Sequence, residues 1–161
     1  MKRAVNVPLR RSIAVAALAL TPVLASCGFD QPTDRVYTPG VGVNERSGSV
    51  DVLNALVVSG SDGSGTLVAG LSNNDAAEAD TLTQVAGAGE DANLQVDGRP
   101  VDVEGGAIVS LPDDGEFSVQ GEAVTTGAFI ELTFSFERGG AVTVEVPVVD
   151  RRGPYAEIPV P

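Results

Sequence analysis

The fold is decided by residues 129–149, which read FIELTFSFERGGAVTVEVPVV. Apolar side chains occupy every second position on both sides of a central turn: Ile130, Leu132, Phe134 and Phe136 before it, and Val142, Val144, Val146 and Val148 after it. Residues 138–140, Arg-Gly-Gly, supply the turn because glycine tolerates positive φ angles. A period of two with one polar face predicts a half-buried antiparallel hairpin. Pro147 has no N–H to donate, which predicts an edge strand or the end of pairing.

Shorter runs of the same kind precede this hairpin. In residues 50–58 every second position is apolar, with Asn54 as the exception: Val50, Val52, Leu56 and Val58. Further apolar runs lie at 66–72, 82–85, 94–96, 101–103, 107–111 and 117–119, with Gly, Asp and Pro between them. Short alternating runs at close spacing are typical of an all-β sandwich or barrel. We therefore predict an all-β fold, a small antiparallel β-sandwich of cupredoxin-like or immunoglobulin-like character, over residues 49–149.

The composition of this 161-residue chain excludes several classes of function. The chain contains no histidine, one cysteine and one methionine, and its only lysine is Lys2. A Ser–His–Asp triad, a Ser–Lys dyad beyond the first residues and a His-ligated metal site are therefore excluded. A formal charge of −12 with only 4% aromatic residues argues against nucleic-acid binding. We predict no enzymatic activity, no catalytic residues and no cofactor.

The first 26 residues have the pattern of an export signal. Lys2, Arg3, Arg10 and Arg11 precede a short apolar run at residues 12–20, SIAVAALAL. This order predicts a secretory signal, and the run is too short to span a bilayer. Residues 24–27, LASC, resemble the lipobox of bacterial lipoproteins, which implies cleavage before Cys27 and diacylglycerol on its sulfur. The paired arginines leave both Sec and twin-arginine export open.

The chain from Cys27 onward is strongly acidic. All 22 acidic residues lie beyond Cys27 but only six basic residues do, which gives a formal charge of −16. Anionic lipids repel such a surface, whereas the acyl chains on Cys27 would anchor it stably. We expect a protein that is lipid-anchored to the cell membrane through Cys27, on the extracytoplasmic face.

Two segments without periodicity flank the predicted domain. Residues 27–48 are rich in proline, glycine and polar side chains, which predicts a lipid-anchored flexible linker. Residues 150–161, DRRGPYAEIPVP, contain three prolines, which predicts an extended C-terminal tail whose removal leaves the fold intact. Arg151, Arg152 and Tyr155 form a candidate contact patch in this tail.

Clusters of glycines and of acids are the remaining candidates for chemistry. The glycines are Gly60, Gly63, Gly65 and Gly70. No lysine follows these glycines, so they favour a β-turn over a phosphate loop. The acids that could gather around calcium are Asp75, Glu78 and Asp80, or Asp113, Asp114 and Glu116. Neither acidic set has EF-hand spacing, and we interpret both as solvated loop acids and predict no metal site.

Most of the predicted domain resembles the PCu(A)C-type periplasmic copper chaperones. Residues 129–149 look like that family's closing hairpin, whose pattern is Thr-x-x-Phe-Glu, then Gly, then Thr-Val-x-Val-x-Val. Residues 65–80, GTLVAGLSNNDAAEAD, and 106–121, GAIVSLPDDGEFSVQG, are similar to other strands of the family. The likeness covers residues 50–149 and implies the family's β-sandwich. Together with the lipobox, it is similar to the actinobacterial LpqE-like lipoproteins.

The copper ligands of that family are missing from this chain. The family binds Cu(I) through methionine and histidine, including a His-x-Met motif, and our alignment places Glu116 and Ser118 at that motif. Carboxylate and hydroxyl groups are hard ligands that hold Cu(I) poorly. The resemblance therefore implies the fold without the copper site.

These observations predict a membrane-anchored, non-enzymatic accessory or interaction module. The resemblance implies a protein partner in the cell envelope, in a respiratory or metal-handling complex. One alternative is a copper chaperone with non-standard or partner-supplied ligands. A second alternative is an envelope ligand-binding protein, which the scarcity of aromatic side chains disfavours.

Overall fold

The computed structural model describes residues 40–60, 63–113 and 116–161. The predicted signal and Cys27 lie outside the described residues. Within them the strands are β1 (Val43–Glu45), β2 (Val50–Ser59), β3 (Ser64–Asn73), β4 (Asp80–Gly87), β5 (Gln95–Gly98), β6 (Val101–Val103), β7 (Ile108–Leu111), β8 (Phe117–Gln120), β9 (Phe129–Phe136) and β10 (Gly140–Asp150). Short 3-10 helices occupy Gly89–Asp91 and Gly153–Tyr155. No helix in these ranges has the length and hydropathy of a membrane span.

The strands form one curled sheet. Its order is β5-β8-β3-β2-β10-β9-β4-β6, while β1 pairs with β2 and β7 pairs with β3. Neighbouring strands are antiparallel except β10 and β2, which are parallel. Side chains from both halves of the sheet fill one core, which includes Leu67, Val119, Leu132 and Phe134. This arrangement confirms the predicted all-β sandwich.

The closing hairpin forms as its alternation predicts. β9 and β10 pair from Phe136 opposite Gly140 to Phe129 opposite Pro147. Gly140 has a φ of 77° in the turn, a conformation that glycine adopts without steric cost. The apolar positions of both strands face the core and are buried. Each such side chain contributes roughly 1.5–3 kcal/mol relative to an exposed one.

β10 changes its pairing partner at Pro147. This proline is the last residue paired with β9, and residues 148–150 pair with β2 in parallel. Because proline has no N–H, a ladder ends where it stands. The predicted end of pairing is confirmed, but β10 is an internal strand that joins the two halves of the sheet.

Asn54 interrupts the parity of β2 because it lies in a β-bulge. Its φ is 49°, and the register with β3 shifts between Leu53 and Leu56. One extra residue reverses which side chains face the core. The core residues of β2 are therefore Val50 and Val52 before the bulge, and Ala55 and Val57 after it. The single parity predicted for β2 is wrong beyond Asn54, since Leu56 and Val58 are buried on the opposite face.

The last part of the predicted linker belongs to the sheet. β1 pairs with β2 beside the bulge. Gly42 N donates to Asn54 Oδ1 at 3.1 Å, and Asn54 N donates to Asn44 Oδ1 at 2.7 Å. Three residues are too few for an alternation to be recognised in the sequence. The sheet thus includes residues of the predicted linker.

Candidate functional site

The first acidic set comes together where β4 begins. Asp75, Glu78 and Asp80 line a cavity of about 150 Å³. The other lining residues are Ser49, Asn73, Ala79 and Arg138. A cation could bind in this cavity if the carboxylate oxygens had no other hydrogen-bond or ion-pair partners.

Asp80 uses both carboxylate oxygens on backbone N–H groups. Its side chain is buried, with the residue only 6% exposed. Oδ1 accepts hydrogen bonds from the N–H of Thr81 at 2.8 Å and of Arg138 at 3.0 Å, and Oδ2 accepts one from Gly139 at 2.8 Å. Hydrogen bonds to a charged acceptor are among the stronger ones. Asp80 therefore fixes the start of β4 to the turn between β9 and β10.

The other two acids of this set are engaged as well. Glu78 forms an ion pair with Arg138, whose Nη1 also lies 3.5 Å from the carbonyl oxygen of Ala79. Asp75 Oδ1 accepts a hydrogen bond from Ala77 N at 2.9 Å. Among the described residues, no group of three or more potential ligands could hold a metal ion. The cluster is a structural clamp on the loop between β3 and β4.

Asn73, which is not among the residues predicted from the sequence, is central to this clamp. Asn73 is 4% exposed, and its Nδ2 donates to the carbonyl oxygens of Glu78 at 2.9 Å and Val103 at 3.1 Å. Its Oδ1 accepts a hydrogen bond from Asp75 N at 2.9 Å. Asn73 thus satisfies backbone groups of the loop before β4 and of Val103 in β6. Asn73 is two residues after Leu71, so it continues the alternate positions of β3 that face the core. A polar residue at such a position is the sequence signal that could have identified it.

The described members of the second acidic set are surface residues. Asp113 and Glu116 are exposed, and Asp114 lies outside the described residues. Glu116 precedes β8, while Ser118 lies within β8 opposite Thr66 of β3. Ser118 Oγ lies 3.4 Å from the carbonyl oxygen of Asp97, which it contacts as a weak donor. The two positions aligned with the His-x-Met motif therefore carry an exposed carboxylate and a hydroxyl directed at the neighbouring strand.

The glycine cluster forms a hairpin turn and part of a strand. Gly60 N donates to Ser64 O at 2.7 Å and closes the connection between β2 and β3, of which residues 61 and 62 lie outside the described part. Gly65 and Gly70 lie within β3. A Cβ on Gly65 would lie 2.5 Å from Val57 Cγ1, so glycine is required there for β2 and β3 to pack.

The C-terminal tail lies against the outer face of the sheet. Thr66 is fully buried, and its Oγ1 donates to Pro159 O at 2.7 Å. Ser64 Oγ donates to Pro161 O at 3.2 Å. Arg151 Nε donates to Ala156 O at 3.1 Å, so the tail folds back directly after β10. The tail is thus packed on the domain, although Arg151 and Arg152 are exposed.

Glu45, at the end of β1, has a shifted pKa. A hydrogen bond from the Ser47 side chain, together with the backbone N–H groups of Ser47 and Arg46, holds the pKa of Glu45 below its usual value. The folded state therefore favours the carboxylate, and this preference is present at neutral pH. It is lost as the pH falls below the usual range of glutamate and through the lowered pKa.

Comparisons with known proteins identify the fold. No protein-family model and no curated protein matches this chain. Among solved structures, the apo PCuAC domain from PmoF1 is similar at 20% identity with a TM-score of 0.53, covering 67% of this chain and 98% of that domain. The copper-bound PCuAC domain from PmoF2 is similar at 17% identity with a TM-score of 0.55, with the same coverage of 67% and 98%. The apo PmoF2 domain gives 15% identity and a TM-score of 0.58, covering 69% of this chain and 98% of that domain.

These neighbours span nearly their whole length on this chain, so the domain has the fold of a PCuAC domain. At such low identity the likeness extends to the fold alone. The fold expected from the resemblance is confirmed, and the function has to be argued from this chain's own residues.

Proposed function

We propose that this chain is a membrane-anchored extracytoplasmic lipoprotein whose domain acts as a non-enzymatic interaction module with a copper-chaperone-like fold. The observation that carries the proposal is the combination of a PCuAC fold with a sequence that has no histidine, and no methionine beyond Met1. Soft sulfur and imidazole ligands are what a protein offers to Cu(I). A fold retained without those side chains is suited to binding a partner rather than carrying a metal.

The polar clusters of the domain support this proposal. The acids around Asp80 hold backbone groups and a neighbouring arginine, and Ser118 contacts the next strand. None of these groups forms the nucleophile-and-base pair that hydrolytic chemistry requires. A surface with formal charge −16 beyond Cys27 favours a basic partner surface.

The anchoring part of the proposal rests on the sequence. The basic head, the short apolar run and the LASC sequence ending at Cys27 support lipid attachment at that cysteine. The fold and this lipobox together support the finer proposal of an LpqE-like lipoprotein. The proposed partner is a membrane complex of the respiratory or metal-handling kind.

One observation favours a second candidate function. A copper-bound PCuAC domain, that of PmoF2, is among the structural neighbours. A copper chaperone that borrows ligands from its partner would keep the same fold. Copper transfer would then require the complex rather than the isolated chain.

The proposal is tested by membrane fractionation and capture in the native host. The wild-type chain is expected in the membrane fraction and is expected to retain a defined membrane complex when captured in mild detergent. The Cys27→Ala variant is expected in the soluble fraction, because the acyl chains are its only proposed anchor. Membrane retention of Cys27→Ala would contradict the lipid anchor, and capture of no envelope protein by the wild type would contradict the interaction module.

A further inference from the structure

The C-terminal tail and the ends of two strands enclose an open groove. β2 and β10 run parallel and end side by side at Ser59 and Asp150. Above these ends lies a groove of about 460 Å³. Its lining residues are Ser59, Gly60, Thr126, Asp150, Arg151, Arg152, Val160 and Pro161. The hydrogen bond from Thr66 to Pro159 holds the tail in place as one wall.

This groove carries a pair of adjacent arginines on a chain that is otherwise poor in positive charge. Arg151 and Arg152 are two of the six basic residues beyond Cys27. Both are exposed, and the side chain of Arg152 is 85% exposed. Concentrating a third of the positive charge in one concave place creates a local site for an anion.

Each guanidinium is anchored through its Nε atom. Arg151 Nε donates to Ala156 O at 3.1 Å, and Arg152 Nε lies 3.1 Å from Asp150 Oδ2. Within the part of the chain that the structure describes, no acceptor engages the Nη groups of Arg151. An arginine held at Nε keeps its two Nη groups as a planar pair of donors.

We propose that this groove is a binding site for a phosphate group, held by the Nη groups of Arg151 and Arg152. Phosphate offers several oxygens, so it can accept hydrogen bonds from both guanidinium groups at once. A carboxylate has only two oxygens, which one guanidinium already satisfies. Asp150 neutralises part of the charge on Arg152, so Arg151 contributes the larger share of the binding.

The acidic body of the protein restricts how this site is reached. Its negative charge lowers the concentration of anions near the protein, and both this repulsion and the attraction by the guanidinium groups are screened over about 8 Å at physiological ionic strength. The ligand is therefore a phosphate present at high local concentration. Both a lipid headgroup diester and free phosphate or a monoester meet this chemistry.

The test is a titration of the full chain in non-ionic detergent, followed by amide NMR. The two probes are inorganic phosphate and glycerophosphoglycerol, a soluble diester headgroup. We expect saturable shifts confined to the amides around Gly60, Arg151 and Arg152, with a dissociation constant on the order of 1 mM. Shifts with both probes indicate a headgroup site, and shifts with inorganic phosphate alone indicate a site for free phosphate.

Matched variants distinguish phosphate binding at this groove from a general effect of the protein's net charge. The R151Q/R152Q variant is expected to bind at least about tenfold more weakly, and R151K/R152K is expected to fall between it and the wild type because lysine lacks the planar donor pair. R99Q removes one positive charge from the turn between β5 and β6, against two in R151Q/R152Q, and is expected to leave the affinity unchanged. Absence of saturable shifts at the groove with both probes, or an equal loss in R99Q, would overturn the proposal.

Discussion

Asp80 is a buried carboxylate whose position beside two other acids resembles a cation site but whose oxygens hold the backbone. Three N–H groups from β4 and from the turn between β9 and β10 converge on it. The proximity of Asp75, Glu78 and Asp80 could be predicted because they share one loop. Their bonding partners could not, since Arg138 and Gly139 are distant in sequence and no local pattern brings them near.

The Asp80→Asn variant is expected to lower the free energy of unfolding by about 2–3 kcal/mol. The amide removes the charge that strengthens these bonds and turns one acceptor into a donor that faces an N–H group. Urea denaturation measures this loss. Asp102→Asn is the matched control, because Asp102 is exposed and its side chain's one hydrogen bond to the described part of the chain comes from Thr81 Oγ1. A loss for Asp80→Asn no larger than that of the control would contradict the clamp.

Asn54 is the residue on which the register of β2 depends. Its φ of 49° is unfavourable for alanine but open to glycine, and its side chain also accepts a bond from Gly42 N. Asn54→Ala is expected to cost about 1–3 kcal/mol in unfolding free energy, and Asn54→Gly is expected to cost less. Chemical denaturation measures the unfolding free energy of the two variants and shows which of them is more stable. An alanine variant at least as stable as the glycine variant would show that the bulge carries no backbone strain.

At the scale of elements, the tail contributes to the stability of the domain. Its last residues accept hydrogen bonds from Thr66 and Ser64 on the outer face of β3. A chain that ends after Arg152 loses the acceptor of the Thr66 hydroxyl and the packing of the tail on this face of the sheet. We expect this truncation to cost about 2 kcal/mol and to lower Tm by roughly 5–10 °C.

Calorimetry of the truncated chain and of Thr66→Val separates the contribution of the whole tail from that of the hydrogen bond between Thr66 and Pro159. Thr66→Val keeps the tail but removes one hydrogen bond, so it is expected to cost about 1 kcal/mol. An unchanged Tm on truncation would instead support the sequence-based expectation that the tail lies apart from the folded domain.

The strands could be predicted where apolar and polar residues alternate along the sequence. Residues 129–149 show which side chains face the core, because one face of the hairpin is polar. Alternation does not report which strand lies next to which, so the parallel pairing of β10 with β2 was not foreseen. The bulge at Asn54 and the short strand β1 could not be predicted for a related reason. Each depends on a partner strand that the local sequence does not contain.

At the scale of the whole molecule, a domain with the fold of a PCuAC domain belongs to a chain that has no histidine, and no methionine beyond Met1. The described polar groups hold strands, turns and the tail. Because the chain is acidic beyond Cys27, the proposed acyl chains are the attachment to an anionic membrane that does not depend on charge. We propose that this domain offers a surface to a partner protein.

The most direct test is a Cu(I) competition titration of the full chain carrying Cys27→Ala, in which the only thiol is removed. A colorimetric Cu(I) chelator reports how much copper the protein withdraws. We predict that the chelator keeps its copper at one equivalent of protein, because this variant has no histidine and no cysteine, and Met1 is its single soft side chain. Stoichiometric uptake of one Cu(I) per chain would contradict it and would favour a copper chaperone with an unrecognised ligand set.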